Sequence, residues 1–294
     1  HGCCEIGDDF DTTKRTLVGF GKNPNVGAVL VVGLGCEGIQ AKEIADEIKT
    51  TGKPVEYIVI QEEGGTAKTV SKGVEIAGKM AREISKQNKV EFDISEIILG
   101  LECGGSDPTS GLASNPSIGV ASDMLVSMGG SSILSETTEV IGAEHLLYPR
   151  FEDENEGKKF LEMVKRVENR SIAAGHDLRE GQPTPGNKAG GLTTIEEKSL
   201  GCMHKAGHSP FKGTLEYAEE LPTNKKGLYF MDTPGQDIDS ITGMVAGGAQ
   251  VIVFSTGRGT PTGSPIAPVI KITGNSSTYN NMIDNIDINA GKII

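Results

Sequence analysis

The sequence contains no tryptophan, and aromatic residues make up only 4% of it. Positive charge is also scarce, since 28 lysines and arginines are outnumbered by 40 acidic residues and the net charge is −12. Such an acidic chain is a poor non-specific ligand for nucleic acid or an anionic membrane surface. The sequence has no apolar segment of the roughly 20 residues that a transmembrane helix requires. We therefore expect neither a nucleic-acid partner nor a membrane partner.

Cysteine occurs five times, and no two cysteines form the C-x-x-C pair that is typical of a zinc ribbon. The cysteines stand beside glycines and lack the spacing of a secreted disulfide scaffold. This favours a reducing, cytoplasmic compartment and a role in chemistry or metal binding. An iron–sulfur cluster held by dispersed cysteines is an alternative. Because the chain opens HGCC without a methionine, we interpret it as a fragment, with His1 either frayed or at the edge of a site.

The chain has 40 glycines, and they cluster in loops that follow apolar runs. Apolar runs at 28–32, 55–60 and 96–101 alternate with helical patterns, which predicts a β-α-β-α-β order. The predicted fold class is therefore α/β, with parallel, doubly wound Rossmann-like sheets and Gly-rich loops at the C-terminal ends of the strands. We expect a first lobe over 1–174 and a second over 175–294, although a single continuous domain also suits this length.

Two of these loops carry a cysteine at matching places after a strand. Residues 33–38, GLGCEG, have the G-x-G-x-x-G spacing of a dinucleotide-binding loop, and acidic residues at 62–63 are available for a ribose. However, Cys36 and Glu37 within the loop are better suited to a metal. The second loop, 102–107, reads ECGGSD and contains Cys103 and Asp107. The alternative is that both are buried structural cysteines and that their matching positions are a coincidence.

Two further glycine-rich loops have the composition of anion sites. In the stretch 184–202, Gly190 and Gly191 precede Thr194 and Glu197, whose capping-box spacing predicts a helix that begins there and ends near Cys202. A helix start beneath such a loop suits a carboxylate or phosphate. The loop 255–261, STGRGTP, presents an arginine among glycines and hydroxyls, which suits bidentate capture of a carboxylate.

The combination of thiol and carboxylate ligands favours a first-row metal such as Fe²⁺ or Zn²⁺ over Mg²⁺. A metal beside an anion clamp suits removal of the proton alpha to a carboxylate, followed by loss of the β-group. The residues do not single out the general base, and Lys198 and His204 are both candidates.

Four segments together resemble the large catalytic region of the altronate and galactarate dehydratases: 31–37 (VVGLGCE), 100–107 (GLECGGSD), 184–202 and 255–261. The resemblance implies a lyase that removes water from a sugar acid such as altronate or galactarate and yields a 2-keto-3-deoxy acid. It also implies a divalent metal, most simply Fe²⁺, with Mn²⁺ or Zn²⁺ as alternatives. Because the family includes the beta subunit of sulfolactate sulfo-lyase, release of sulfite from sulfolactate is the alternative reaction, and a nucleotide-binding oxidoreductase is a further one.

The resemblance and the motifs together define the candidate site. The predicted metal ligands are Cys36, Cys103, Cys202, His1 and Glu37. The predicted catalytic residues are Lys198, Glu197, Arg258 and Asp107, and the predicted substrate-binding residues are Asn187, Gly190, Gly191, Thr256 and Arg258. The expected partners are a small sugar acid or sulfo acid, a small N-terminal-domain subunit, since that domain is absent here, and further copies of the chain in a homo-oligomer.

Overall fold

The computed structural model describes residues 5–294, and its contacts divide the chain into two compact units. Unit 1 comprises the residues up to Phe92 together with Ala218–Glu220 and Val245–Gly248, and unit 2 comprises the remainder. The boundary expected at 174/175 falls inside unit 2. The physical reason is that strands from both sides of residue 174 belong to one hydrogen-bonded sheet.

Unit 1 contains a two-stranded parallel sheet packed against amphipathic helices. Its elements are α1 (Asp8–Lys22), β1 (Val29–Gly33), α2 (Ala41–Lys49), β2 (Val55–Val59), α3 (Ile60–Glu63) and α4 (Thr66–Ile84). The apolar face of α2 buries Ile44 and Ile48 in a small core with Val18 and Val55. The β-α-β order predicted for this part of the sequence is therefore present.

Unit 2 is built on a seven-stranded, fully parallel sheet with the order β5-β6-β4-β3-β7-β8-β9. The strands are β3 (Ile98–Cys103), β4 (Ser131–Leu134), β5 (Phe211–Leu215), β6 (Leu228–Met231), β7 (Val251–Ser255), β8 (Val269–Thr273) and β9 (Ile288–Asn289). The helices are α5 (Asn115–Ser127), α6 (Glu144–Leu147), α7 (Glu154–Ala173), α8 (Leu178–Gly181), α9 (Pro185–Ala189), α10 (Ile195–Met203), α11 (Asp237–Ala246) and α12 (Ser276–Asn281). The predicted α/β class with a parallel, Rossmann-like sheet is confirmed.

The central strands of this sheet bury large apolar side chains, because helices cover the sheet. Leu101, Ile133, Phe230 and Phe254 are all at most 1% exposed, the pattern expected of parallel strands buried on both faces. The third strand starts and ends later than the predicted 96–101, so Cys103 is its last residue. Among the described residues, no helix is both long and apolar enough to span a bilayer.

Close backbone packing at Gly119 gives a first prediction. A Cβ atom there would lie 2.2 Å from the carbonyl oxygen of His204 and 2.9 Å from the amide nitrogen of Gly207. Because backbone atoms cannot rotate away, we expect Gly119→Ala to lower the free energy of unfolding by about 1–3 kcal/mol, measured by urea denaturation. Gly186→Ala is the matched control, since nothing lies within 4 Å of its Cβ position. An equal effect of the two substitutions would contradict the packing argument.

Candidate functional site

Two cysteines and a glutamate meet at the C-terminal edge of the large sheet. The Cys103 sulfur lies 2.5 Å from Oε2 of Glu139, and the Cys202 sulfur lies 2.9 Å from the same oxygen. The two sulfur atoms are 3.5 Å apart. All three side chains are buried, and one ligand atom from each lies within 4.8 Å of the others. The structure thus joins two of the predicted metal ligands, Cys103 and Cys202, to a residue that the sequence analysis missed.

The chain reaches this arrangement through three separate elements. Cys103 ends β3, and Glu139 ends a short 3-10 helix, Thr137–Glu139, that follows the neighbouring strand β4. Glu136 has a left-handed backbone (φ 70°) and turns the chain back at this point, where its amide donates to the Thr233 hydroxyl.

Cys202 comes from α10, the helix predicted from Thr194. The Thr194 side chain accepts a hydrogen bond from the Glu197 amide, as the capping-box spacing predicts. In a complete capping box the Glu197 carboxylate would accept from the Thr194 amide. Here it accepts from the Thr193 amide instead, at 2.7 Å. Lys198 and Cys202 are four residues apart in α10, so their side chains lie on the same face of the helix. The local sequence therefore determines this helix, and the sheet determines what it meets.

Two buried lysines supply positive charge beside the carboxylates that surround the thiols. Lys198 Nζ lies 2.8 Å from Oε1 of Glu139, and Lys205 Nζ lies 2.9 Å from Oε2 of Glu136. Burial alone would raise the pKa of Glu139, but the charges of Lys198 and Lys205 and the thiol hydrogen bonds lower it to about 2. Burial alone would lower the pKa of Lys205, but the surrounding thiols and carboxylates raise it well above its usual value. Burial and the charge of Glu139 raise the pKa of Glu136, and the charge and hydrogen bond of Lys205 oppose this rise. The two lysines thus supply the counter-charges of this acidic cluster.

The donor chemistry of this cluster fits a divalent transition metal. Burial, reinforced by the nearby Cys202, raises the pKa of the Cys103 thiol well above its usual value. Metal binding at such a site requires loss of the thiol protons. Two sulfurs and one ionised carboxylate suit Zn²⁺ or Fe²⁺ and not Mg²⁺, and three protein ligands are typical of catalytic zinc sites. The residues Cys103, Glu139 and Cys202 could hold such an ion.

Glu102 forms a second buried layer beneath the cluster. Its carboxylate accepts from the Ser240 hydroxyl at 2.6 Å, while Glu136 accepts from the Cys103 amide at 2.9 Å. Burial, together with the charge of Glu136, raises the pKa of Glu102 well above its usual value. Glu102 thus belongs to a buried hydrogen-bonded group with Ser240, directly before Cys103 in the chain.

A cavity of about 270 Å³ opens beside the cluster. Its lining includes Ser106, Asp107, Asn115, Leu192, Lys198 and Cys202. This size is just below the ~300–1,000 Å³ typical of ligand pockets, so a small molecule fits. Lys198 is the only cationic side chain among the described residues that line the cavity. Burial alone would lower the pKa of Lys198, but the charge of Glu139 and the nearby Cys202 raise it, so the ammonium stays charged. The cavity therefore suits a small anionic molecule.

Several predicted residues form the walls of this region through hydrogen bonds. Asp107 accepts from the Ser110 amide at 3.1 Å and from the Asn275 side chain at 3.0 Å. Asn187 accepts from the Ser106 amide at 3.1 Å, and Thr256 accepts from the Gly259 amide at 2.9 Å. These bonds hold the loops after β3, β7 and β8 in place.

Arg258 and the Gly190–Gly191 loop both approach the loop that follows β3. The amide of Arg258 donates to the Gly105 carbonyl at 3.0 Å, and a Cβ atom at Gly190 would lie 3.2 Å from the carbonyl oxygen of Ser106. The Arg258 side chain is exposed and has no hydrogen-bond partner among the residues that the structure describes. By contrast, His204 is exposed and Lys198 is ion-paired with Glu139. Their roles as general-base candidates stay predictions.

The remaining predicted ligands lie elsewhere in the chain. Cys36 and Glu37 belong to unit 1, where Cys36 is exposed, so their metal role stays a prediction. His1 lies outside the described residues. The Glu37 carboxylate accepts from the amides of Leu34 and Gly35 at 2.8 and 2.5 Å. It thus occupies the amide groups that a dinucleotide phosphate would need in this loop.

Glu139 is the main residue that sequence reasoning missed. A signal was available, because the predicted strand 131–134 is followed at once by an acidic segment, SETTE at 135–139. That segment contains neither cysteine nor glycine, the two features used to select the other loops. Its acids become recognisable as site residues only when β4 is known to lie beside β3.

These features define the chain as a Rossmann-like α/β protein with a buried thiol–carboxylate centre and an anion-compatible cavity at the strand C-terminal ends. Comparison with family models gives the particular family. The model for the D-galactarate/altronate dehydratase C-terminal region matches residues 94–294, and that for the second domain of D-galactarate dehydratase/altronate hydrolase matches residues 1–85. The chain belongs to the D-galactarate/altronate dehydratase family, as its motifs predicted.

Individual relatives agree with this assignment. Altronate dehydratase from Bacillus subtilis is 37% identical over 294 residues, which cover 100% of this chain and 58% of that protein. Galactarate dehydratase (L-threo-forming) from Escherichia coli is 39% identical, over 95% of this chain and 54% of that protein. The beta subunit of (2R)-sulfolactate sulfo-lyase from Chromohalobacter salexigens is 38% identical, over 100% of this chain and 75% of that protein. The chain thus spans little more than half of the two dehydratases.

Proposed function

We propose that this chain carries the catalytic centre of a lyase that removes water from a sugar acid such as altronate or galactarate and forms a 2-keto-3-deoxy acid. The family membership supports this assignment, because two of the relatives described above are named dehydratases of these acids. The observation that carries it is the charged Lys198 on the wall of a small cavity that also exposes the Cys202 end of the thiol–carboxylate cluster.

We propose Fe²⁺ as the metal, with Mn²⁺ and Zn²⁺ as the other candidates, held by Cys103, Glu139 and Cys202. When bound, such an ion supplies a Lewis acid that polarises a substrate oxygen. The chain itself supplies the other contributions. Lys198 contributes a desolvated positive charge, which is worth more inside a cavity than in water. This charge stabilises both the substrate carboxylate and the negative charge that develops when the α-proton is lost.

We assign the remaining predicted residues to substrate binding and positioning. Arg258 binds the acid through a bidentate contact, since its guanidinium is exposed and adjoins the loop after β3. Asn187, Thr256 and the Gly190–Gly191 loop hold that region in shape. The catalytic roles predicted for Asp107 and Glu197 remain predictions. The hydrogen bonds that both carboxylates make favour a positioning role.

Assay of the chain with altronate and galactarate tests this function, with 2-keto acid measured by ultraviolet absorbance of its semicarbazone and metal measured by mass spectrometry. A small N-terminal-domain subunit and a homo-oligomer are the proposed partners, so the assay is run with and without such a subunit, and the oligomeric state is measured. We expect turnover by the wild type and at least about a 100-fold loss in Cys103→Ser and Cys202→Ser. Full turnover after complete chelation would contradict the metal role.

Release of sulfite from sulfolactate is the second candidate function. The relative that supports it is a beta subunit, of which this chain covers a larger share than it does of the two dehydratases. The chemistry is the same up to the leaving group, because both reactions begin at the carbon next to a carboxylate. Parallel assays for sulfite and for 2-keto-3-deoxy acid discriminate between the two reactions.

Arg258 gives a prediction that separates substrate binding from folding. Loss of a charge-assisted hydrogen bond costs about 1.5–3 kcal/mol, so we expect Arg258→Gln to lower kcat/KM by roughly 10- to 100-fold, mainly through KM. The free energy of unfolding should not change, because the side chain is exposed. Arg179→Gln is the control, since Arg179 pairs with Glu144 and Glu168 at the surface and should leave the kinetics unchanged. Unaltered KM in Arg258→Gln would remove this residue from the site.

A further inference from the structure

Asp237, the first residue of α11, carries a half-buried carboxylate at the same sheet edge. Its Oδ2 atom lies 3.1 Å from the position that a Cβ atom would occupy on Gly104, the residue after Cys103. The carboxylate therefore lies close to the backbone immediately after β3. Neither a motif nor a family resemblance drew attention to this residue.

The other acidic side chains at this edge already accept hydrogen bonds from protein groups or form ion pairs with lysines. Glu139 accepts from two thiols and pairs with Lys198, and Glu136 pairs with Lys205. Glu102 accepts from Ser240, and Asp107 accepts from three residues of its own loop and of the loop after β8. Within the described part of the chain, no side chain of another residue donates to the Asp237 carboxylate. Glu102 and Glu136 each keep one oxygen atom without a partner, but these atoms are fully buried. The half-buried Asp237 carboxylate is the one among these acids that is partly open to solvent.

Its electrostatic surroundings agree with a role in proton transfer. Burial raises the pKa of Asp237, and the negative charge of Glu139 raises it further. Lys205 and Lys198, from the segment around α10, act in the opposite direction and lower it. Burial, the largest cause of this rise, favours proton uptake by the carboxylate whether or not a cation screens Glu139.

We propose that Asp237 is the general base that takes the α-proton of the acid substrate. This inference rests on the proposed function. The bond between the α-carbon and its hydrogen breaks, and the proton passes to an Asp237 oxygen. The electron pair is first held as the enediolate of the substrate carboxylate, in a reversible step, and then forms a double bond to the β-carbon as the bond from that carbon to its hydroxyl breaks. The hydroxyl takes a proton from the Lys198 ammonium and leaves as water. The enol then returns its hydroxyl proton to Lys198 and receives the Asp237 proton at the β-carbon, which gives the 2-keto acid.

The test compares wild type, Asp237→Asn, Asp237→Glu and the control Asp239→Asn, whose side chain is on an exposed position of the same helix. General base catalysis contributes about 10²–10⁴-fold, so we expect Asp237→Asn to lose kcat by this factor with KM and metal content unchanged. Asp237→Glu should restore part of the loss, and Asp239→Asn should behave as wild type. The acidic limb of the kcat profile against pH, and wash-in of solvent deuterium at the α-carbon, should both disappear in Asp237→Asn.

The outcomes separate this inference from the proposed function. Turnover by the wild type combined with more than a tenth of wild-type kcat in Asp237→Asn would overturn the assignment of Asp237 and leave the lyase reaction standing. Unchanged deuterium wash-in by Asp237→Asn would overturn it in the same way. Absence of turnover by the wild type on altronate, galactarate and sulfolactate would overturn both proposals.

Discussion

Replacement of Glu139 by glutamine is expected to lower metal affinity by at least about 100-fold, the upper end of the cost of removing even a supporting residue at a metal site. Turnover should fall with it. The same change leaves the Lys198 ammonium, which is 9% exposed, without its anion. Because a buried charge that loses its partner costs about 3–5 kcal/mol, the free energy of unfolding of the apoprotein should fall by a similar amount. Calorimetric titration with Mn²⁺ or Zn²⁺ and urea denaturation measure the two effects.

Glu144→Gln is the matched control for this experiment. Glu144 lies five positions further along the chain and pairs with the exposed Arg179, an interaction worth at most about 1 kcal/mol. Glu144→Gln should therefore leave metal affinity unchanged. If Glu139→Gln bound the metal as the wild type does, Glu139 would not be a ligand. If its stability were also unchanged, the pair with Lys198 would not be a buried, ionised contact.

Replacement of Lys205 by methionine should destabilise the chain by about 3–5 kcal/mol, since it leaves Glu136 buried without a counter-charge. Both members of this pair are 1% exposed at their side chains, so solvent cannot replace the lost partner. The midpoint of urea denaturation measures the effect. Lys158→Met is the control, because Lys158 forms an exposed pair with Glu154 one helical turn away and should cost no more than about 0.5 kcal/mol.

A double-mutant cycle then identifies the cause. In Lys205→Met combined with Glu136→Gln, neither side chain carries a charge, so we expect the double variant to be more stable than the sum of the two single effects predicts. Glutamine keeps the length of Glu136 and the left-handed backbone at this position. Strict additivity of the two substitutions would show that packing of the lysine stem, and not the ion pair, accounts for the loss.

Local signals in the sequence were sufficient for β3 and α10, the two elements that carry the cysteines of the site. The spacing of Thr194 and Glu197 predicted the start of α10, because a helix cap depends on neighbours in the chain. The apolar runs predicted parallel strands, because strands buried on both faces need no polar alternation. The choice of Cys103 and Cys202 as partners also came from sequence, through their place beside glycines and the family resemblance. The division of the chain into two units could not be predicted from local signals, because the strand pairing that crosses residue 174 is non-local.

The sequence by itself determined the α/β class, the family and two of the three members of the thiol–carboxylate centre. Only the tertiary structure decided that Glu139 lies between the two thiols, that Lys198 and Lys205 are buried as counter-charges, and that the Asp237 carboxylate is half-buried with no donor side chain among the described residues. The physical reason is that strand order brings β3, β4 and β6 side by side, so that residues about 100 positions apart come into contact. A charged residue in a sequence has the same letter whether it is solvated or buried, and its role depends on the groups that the fold places around it.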